Sequence, residues 1–221
     1  MRSSTARLLA AAPLLTAACA AFATAPAAAT TLATRPGRPT CQRARSRTLV
    51  SSPTARVYAV TGHDDGEYGA PTTVYGCLRL HDRRRVVLRR FSATQAVTFP
   101  RRRLAGRYVA LSESVVDVAC TKYMGAASEC SSARLASYDL RTGRVRARAD
   151  SPAADALALS ARGWLAWVGP ADTAGVRTVR VRDSAGERVA GGGAVDPRSL
   201  SVTGDLASWV ADGAEQTATL R

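Results

Sequence analysis

A chain of 221 residues can form one domain or two small ones, and its 46% hydrophobic and 22% charged content excludes a disordered protein. The formal net charge of +14 favours anionic partners, such as nucleic acid, acidic polymers of the cell envelope or an anionic membrane surface. Because Lys122 is the only lysine, a general compositional bias toward arginine is the alternative explanation of this charge.

The first 29 residues have the layout of a secretory signal peptide. Two arginines precede an apolar run, and Ala27 and Ala29 supply an A-x-A cleavage pattern. The apolar run is shorter than the roughly 20 residues of a membrane-spanning helix. A lipoprotein signal at Cys19 would need leucine at the position of Thr16. We therefore expect cleavage near Ala29, a secreted or cell-envelope location, and no transmembrane segment in the mature chain.

Residues 30–48 are predicted to form a flexible, exposed arm. This segment contains two prolines, one glycine and several arginines, and it has almost no apolar periodicity. The folded domain is predicted to span residues 49–221.

Four cysteines remain after removal of the signal peptide, namely Cys41, Cys77, Cys120 and Cys130. An even number in an exported chain favours disulfides, whereas zinc binding would need short C-x-x-C spacings that the chain lacks. Three pairings are possible. The short polar loop between Cys120 and Cys130 favours that pair, which leaves Cys41 with Cys77.

The domain alternates short apolar runs with turn signals, which is typical of an all-β protein. No window outside the signal peptide shows a helical face. The predicted strands are Thr48 to Ser51, Ala55 to Val60, Val74 to His81, Arg85 to Phe91, Ala96 to Phe99, Tyr108 to Ser112, Arg134 to Asp139, Val145 to Ala149, Ala156 to Leu159, Trp164 to Val168, Thr178 to Arg182, Arg188 to Ala190, Leu200 to Val202, Leu206 to Val210 and Gln216 to Leu220.

The stretch LALSARGWLAWVGP, at residues 157–170, has weaker copies at residues 54–60, 104–111 and 201–210. The copies lie roughly 40 to 55 residues apart, a period typical of units that hold about four short strands. A second motif recurs as DLRTG at residues 139–143 and DSAG at residues 183–186. Its aspartate can accept hydrogen bonds from nearby amides, and its glycine supplies the positive φ of a tight turn.

These two motifs resemble the strands of blades in secreted TolB-like or quinoprotein-like β-propellers. The resemblance covers about residues 49–221. It implies an all-β fold of about four antiparallel four-stranded repeats, arranged as a small or incomplete propeller. An open meander or a sandwich is the alternative arrangement of the same hairpins. Ring closure would require the segment near Leu49 to complete the last repeat beside residues 217–220.

The loop GHDDGEYG contains the candidate metal ligands His63, Asp64, Asp65 and Glu67. One imidazole and three carboxylates could bind Ca²⁺ or a transition metal, which would suit a metal-dependent hydrolase or lyase. Their spacing matches no EF-hand or metallohydrolase pattern, and a solvated hairpin loop is the alternative interpretation.

Other signals of catalysis are missing from the sequence. His81 and Asp82 are adjacent, so on a strand they would face opposite sides, and we interpret them as turn residues. No G-x-S-x-G elbow, P-loop or G-x-G-x-x-G motif occurs, and we interpret the run Gly191 to Gly193 as a flexible connector. The sequence predicts no catalytic residue and no cofactor.

The chain has three arginine runs, the shortest of which is Arg89 with Arg90. The other two are the candidate contacts for a polyanion: Arg83, Arg84 and Arg85, and Arg101, Arg102 and Arg103. If neighbouring hairpins bring the runs together, they form one basic patch. With 5% aromatic residues and no recognised module, sequence-specific nucleic-acid binding is not expected. Arginines on edge strands can also serve only to prevent aggregation.

Trp164, Trp167 and Trp209 are predicted to pack in the core. Because Trp164 and Trp167 are three residues apart, one of them could instead be exposed for contact with a carbohydrate or a partner.

The leading functional hypothesis is an exported, non-catalytic binding or scaffold module of unknown ligand, with an anionic polymer or an envelope protein as its partner. The alternatives are the metal-dependent hydrolase or lyase and an electrostatic binder of anionic envelope polymers.

Overall fold

The computed structural model describes residues 41, 43–64, 66, 69–79, 84–124, 126, 128–151 and 154–221. Within them lie sixteen strands, one short α-helix and a 3-10 turn at Pro197–Ser199. The strands and helix are β1 Ser46–Ser51, β2 Ala55–Thr61, β3 Thr72–Leu78, β4 Arg85–Phe91, β5 Gln95–Thr98, β6 Arg102–Ala105, β7 Tyr108–Asp117, α1 Val118–Met124, β8 Ser131–Asp139, β9 Val145–Ala149, β10 Ala156–Leu159, β11 Leu165–Val168, β12 Arg177–Asp183, β13 Gly186–Gly193, β14 Ser201–Thr203, β15 Leu206–Ala211 and β16 Ala214–Thr219.

The strands form four successive antiparallel sheets, each built from strands that are consecutive along the chain. Sheet 1 has the order β1-β2-β3-β4, sheet 3 the order β10-β11-β12-β13, and sheet 4 the order β14-β15-β16. In sheet 2, β5 and β6 pair with the two halves of β7, so together they fill the first position before β8 and β9. The prediction of an all-β fold of antiparallel four-stranded repeats is therefore confirmed, with three strands in the last described repeat.

Every predicted strand is present. Arg85–Phe91, Val145–Ala149 and Ala156–Leu159 have the predicted bounds, the other strands have shifted ends, and three further features differ from the prediction. No strand was predicted at Arg102–Ala105, where the basic run Arg101 to Arg103 meets the repeat copy at residues 104–111, yet this segment forms β6. The helix α1 follows β7 directly, although no helix was predicted. The predicted connector Gly191 to Gly193 belongs to β13. Glycine is needed there because a Cβ on Gly191 would lie 2.6 Å from Cζ2 of Trp209.

The sheets pack face to face through two apolar clusters. One cluster joins sheet 1 to sheet 2 and includes Val57, Leu88 and Leu111. The other joins sheets 2, 3 and 4, and Trp167 and Trp209 are its largest fully buried side chains. The apolar core of LALSARGWLAWVGP forms part of this second cluster. The repeated stretch is thus a packing element.

Six tight turns, from all four sheets, lie along a common edge, which with the adjoining strand ends we call the turn edge: residues 52–54, 106–107, 140–144, 160–163, 184–185 and 204–205. Contacts within and between sheets fix this arrangement. The amide of Leu140 donates to the carbonyl of Arg107 within sheet 2, and an ion pair at 3.1 Å joins Arg162 of sheet 3 to Asp205 of sheet 4. The opposite ends of the strands, the loop edge, carry the Asp212–Gly213 turn and the described parts of three longer connections, residues 62–64, 66, 69–71, 118–124, 126, 128–130 and 169–176.

Both predicted disulfides are present. Cys41 pairs with Cys77 of β3, with their Cα atoms 5.7 Å apart, and Cys120 pairs with Cys130, with a Cα separation of 5.6 Å. Two disulfides are typical of proteins outside the cytoplasm. No helix among the described residues has the length and apolar character needed to cross a bilayer.

The N-terminal boundary of the sheet lies within the segment predicted as an arm. The strand β1 begins at Ser46, and Arg56 donates at 2.7 Å to the carbonyl oxygen of Cys41. The predicted signal peptide, residues 1–29, lies outside the described residues.

Candidate functional site

The repeated aspartates shape the turn edge, as their sequence motif predicts. The Asp139 Oδ1 atom accepts from the amide of Arg141 at 2.8 Å, and the Asp183 Oδ1 atom accepts from the amide of Ala185 at 2.9 Å. Gly143 and Gly186 have φ angles of 75° and 107°, which favour glycine. These aspartates therefore hold the turns, in which Arg141, Thr142, Ser184 and Ala185 are exposed.

Asp183 also ties sheet 3 to the last residues of sheet 4. Its Oδ2 atom accepts from the guanidinium of Arg188 at 2.7 Å and from the amide of Arg221 at 2.8 Å. Burial alone would raise the pKa of Asp183, but the hydrogen bonds from Arg221, Arg188 and Ala185 outweigh it and lower the pKa. The carboxylate is therefore a structural anion.

Four exposed arginines lie on the backbone segments that touch where sheet 2 packs against sheet 1, which we call junction A. The turn of sheet 2 lies against the start of β4, because a Cβ on Gly143 would be 2.7 Å from the carbonyl oxygen of Val87. This contact brings the β8–β9 turn beside the first residues of β4. The four exposed arginines are Arg84, Arg85, Arg141 and Arg144.

Three more exposed arginines meet at the junction of sheets 2 and 3, which we call junction B: Arg107, Arg146 and Arg162. The Arg107 Nη2 atom donates to the Tyr108 hydroxyl at 2.7 Å and lies 3.5 Å from Asp139 Oδ2. The Arg146 Nε atom donates to the carbonyl of Arg162 at 3.2 Å. The hydrogen bond to Tyr108 and the charge of Asp139 raise the pKa of Arg107, so it stays cationic.

The predicted arginine runs are placed apart. Arg84 and Arg85 begin the outermost strand of sheet 1, and Arg83 lies outside the described residues. Arg101, Arg102 and Arg103 lie at β6, in the first position of sheet 2, and β6 contacts β1. Three strand spacings, about 14 Å, separate β1 from β4. The arginines beside Arg84 and Arg85, Arg141 and Arg144, come instead from the DLRTG turn, which the sequence identified as a hairpin and not as a polyanion contact.

The candidate metal loop is described only in part. His63 and Asp64 are exposed, and Asp64 Oδ1 accepts from the amide of Gly66 at 2.9 Å. Asp65 and Glu67 lie outside the described residues, as do His81 and Asp82. Within the part of the chain that the structure describes, no group of three or more His, Cys, Asp or Glu residues has the geometry of a metal site.

A cleft of about 360 Å³ opens at the loop edge, between sheet 1 and the start of sheet 2. Its polar lining includes Arg47, Thr61 and Gln95, and its apolar lining includes Val97 and Val118. The cleft is of a size for a small ligand. It carries a single described arginine, whereas the turn edge carries seven at its two junctions.

The sequence did not identify the buried ion pair of Glu113. This side chain is fully buried between sheets 1 and 2, where it accepts from the Arg134 guanidinium, including Nε at 2.7 Å, and from the Tyr138 hydroxyl at 2.6 Å. The Arg89 Nε atom of sheet 1 lies 3.5 Å from the same carboxylate. Burial, reinforced by the charge of Glu113, raises the pKa of Tyr138.

A sequence signal for this site was available. The predicted strand ended at Ser112, but β7 continues to Asp117. Extending the alternation of Val109 and Leu111 by one step places Glu113 on the same buried face, where a lone carboxylate would need a cationic partner. The network is enclosed by packed sheets, so its chemistry is that of a structural ion pair.

The three tryptophans are buried, at 6% exposure for Trp164, 0% for Trp167 and 1% for Trp209. The prediction of core packing is confirmed, and the alternative of an exposed tryptophan is wrong. The Arg146 guanidinium lies over the Trp164 ring, 3.8 Å from its centroid, so a cation–π contact with a buried ring holds this arginine of junction B.

Comparison of the chain with protein-family models and with curated proteins gives no match.

Proposed function

We propose that this protein is an exported, non-catalytic binding module, built from propeller-like blades as an incomplete ring, whose turn edge binds anionic polymers. The observation that carries the proposal is the convergence of seven exposed arginines at junctions A and B. Only Asp139 and Asp205 counter them among the described residues in contact with these arginines. Clustered cations raise the local concentration of polyanions and supply affinity by releasing counterions.

Two further features support the proposal. The buried carboxylates Glu113 and Asp183 are engaged in structural contacts, so they serve the packing of the sheets. The turns are the part of each repeat that can vary without disturbing the apolar clusters, and variable turns on a rigid scaffold commonly carry binding functions. The predicted signal peptide and the two disulfides support a location outside the cytoplasm.

The test is the salt dependence of polyanion binding by the mature chain. Polyglutamate, dextran sulfate and polyphosphate are titrated into the labelled protein, and dissociation constants are measured over a range of salt concentrations. We expect log K to fall linearly with log salt concentration for at least one polymer. The double variant Arg141→Gln, Arg144→Gln should reduce that slope by about 2, since each lost contact removes about 1.

The matched control is the double variant Arg47→Gln, Arg90→Gln, which removes the same charge from two exposed positions away from the turn edge. It should leave the slope near that of the unsubstituted protein. Absence of binding at low salt, or equal losses in the two variants, contradicts the proposal. Hydrolysis of esters, lactones or glycosides that a single substitution abolishes would refute the non-catalytic part.

A further inference from the structure

The seven arginines form two groups on opposite faces of sheet 2. Junction A lies where sheet 2 meets sheet 1, through the contact of Gly143 with Val87. Junction B lies where sheet 2 meets sheet 3, since a Cβ on Gly163 would be 2.8 Å from the Tyr108 ring. Because packed sheets lie about 10 Å apart, the groups are separated by about that distance. A small anion can contact one group, whereas a polymer can contact both.

The cations of both junctions are all guanidinium groups. A guanidinium is a planar fork that can donate two parallel hydrogen bonds to one phosphate, whereas an ammonium acts as a point charge. The ion pairs of Arg107 with Asp139 and of Arg162 with Asp205 hold two of these forks in place. Ordering these side chains before binding lowers the entropic cost of contact.

Among the described residues of the turn edge, no aromatic ring is exposed for stacking with nucleic-acid bases. Tyr108 and Trp164, the aromatic residues of junction B, are 7% and 6% exposed. Among the described residues the exposed aromatic side chain is Tyr123, which lies on α1 at the loop edge. Proteins that bind single-stranded nucleic acids combine a basic groove with exposed aromatic rings. The edge therefore recognises backbone charge alone.

From these observations, and resting on the proposed function, we infer that the ligand is a linear, phosphate-bearing polymer without nucleobases, which crosses the turn edge of sheet 2 and contacts junctions A and B together. The two contacts act as a bivalent site. Once one junction is occupied, the second binds the same chain at a high effective concentration.

The experiment compares tripolyphosphate with long-chain polyphosphate at equal phosphate concentration and fixed salt, using the mature protein. We expect long chains to bind at least about 100-fold more tightly, the gain typical of linked contacts. Either Arg141→Gln with Arg144→Gln at junction A, or Arg162→Gln at junction B, should remove most of that gain while leaving tripolyphosphate binding within a few fold. The Arg47→Gln, Arg90→Gln protein should keep the gain, and unchanged melting temperatures confirm that all variants fold.

Three outcomes overturn the inference while the proposed function stands. Affinity that does not depend on chain length refutes the bivalent contact. Equal binding of polyglutamate refutes the preference for phosphate. Tighter binding of single-stranded DNA than of polyphosphate identifies nucleic acid as the ligand. If no polymer binds at low salt, the proposed function itself fails.

Discussion

Removal of the buried carboxylate of Glu113 should destabilise the fold far more than removal of a surface carboxylate. In a Glu113→Gln protein, Arg134 loses its counter-ion, although the Tyr138 hydroxyl can still donate to the amide oxygen. Loss of one partner from a buried pair costs about 3–5 kcal/mol. The Arg134 side chain is 17% exposed and the Arg89 side chain 38%, so both remain partly hydrated, and we expect a loss at the lower end of this range, about 3 kcal/mol.

The matched control is Glu187→Gln, which breaks the ion pair of Glu187 with Arg180 on the solvent side of sheet 3. A surface pair of this kind contributes about 0–1 kcal/mol. Urea unfolding with both disulfides intact measures the two losses. An apolar replacement, Glu113→Leu with Arg134→Met and Tyr138→Phe, should recover most of the stability. Equal losses for Glu113→Gln and Glu187→Gln would refute the assignment of a buried, charge-dependent junction.

The remaining predictions concern the contacts that join or constrain the sheets. Hydrogen bonds lower the pKa of Asp183 below its usual 3.8, so its contribution to stability is full above pH 3.8 and is lost as the pH falls through the lowered pKa. The loss of stability in an Asp183→Asn protein, measured by urea unfolding, should therefore shrink below about pH 3.8. A loss that grows in acid contradicts this prediction. Replacing both cysteines of the Cys41–Cys77 pair by serine should lower the free energy of unfolding by about 4 kcal/mol, and the same change at Cys120–Cys130 by about 3 kcal/mol, since the bridges span 36 and 10 residues. A larger loss for the shorter bridge in chemical denaturation contradicts the loop-entropy explanation. Gly76→Ala should lower the free energy of unfolding by about 1–3 kcal/mol, because the new Cβ would lie 2.5 Å from Cδ2 of Leu140. Adding Leu140→Val should reduce that loss. Additive losses in the double variant would show that the two side chains do not touch.

The strands and turns were predictable because their signals are local. The period-2 alternation, with the Asp and Gly of the turns at residues 139–143 and 183–186, specifies hairpins without reference to the rest of the chain. The pairing of Cys120 with Cys130 was predictable for a similar reason, since the two are close in sequence.

The composition of the candidate site was not predictable, because it depends on which sheets meet. Arg141 and Arg144 belong to one turn in the sequence, and only the packing of Gly143 against β4 places them beside Arg84 and Arg85. Conversely, the arginine run at β6 lies on the first strand position of sheet 2, away from the end of sheet 1. Arginines that are clustered in the sequence are therefore not the same arginines that are clustered on the surface.

Hydrogen exchange of the mature protein, with and without long-chain polyphosphate at low salt, tests most directly whether the turn edge is the binding surface. We expect slower exchange in the turns at residues 140–144 and 160–163, with no change in α1 or in the strands that line the cleft at the loop edge. Protection confined to the loop edge, or spread evenly over the surface, would contradict the account.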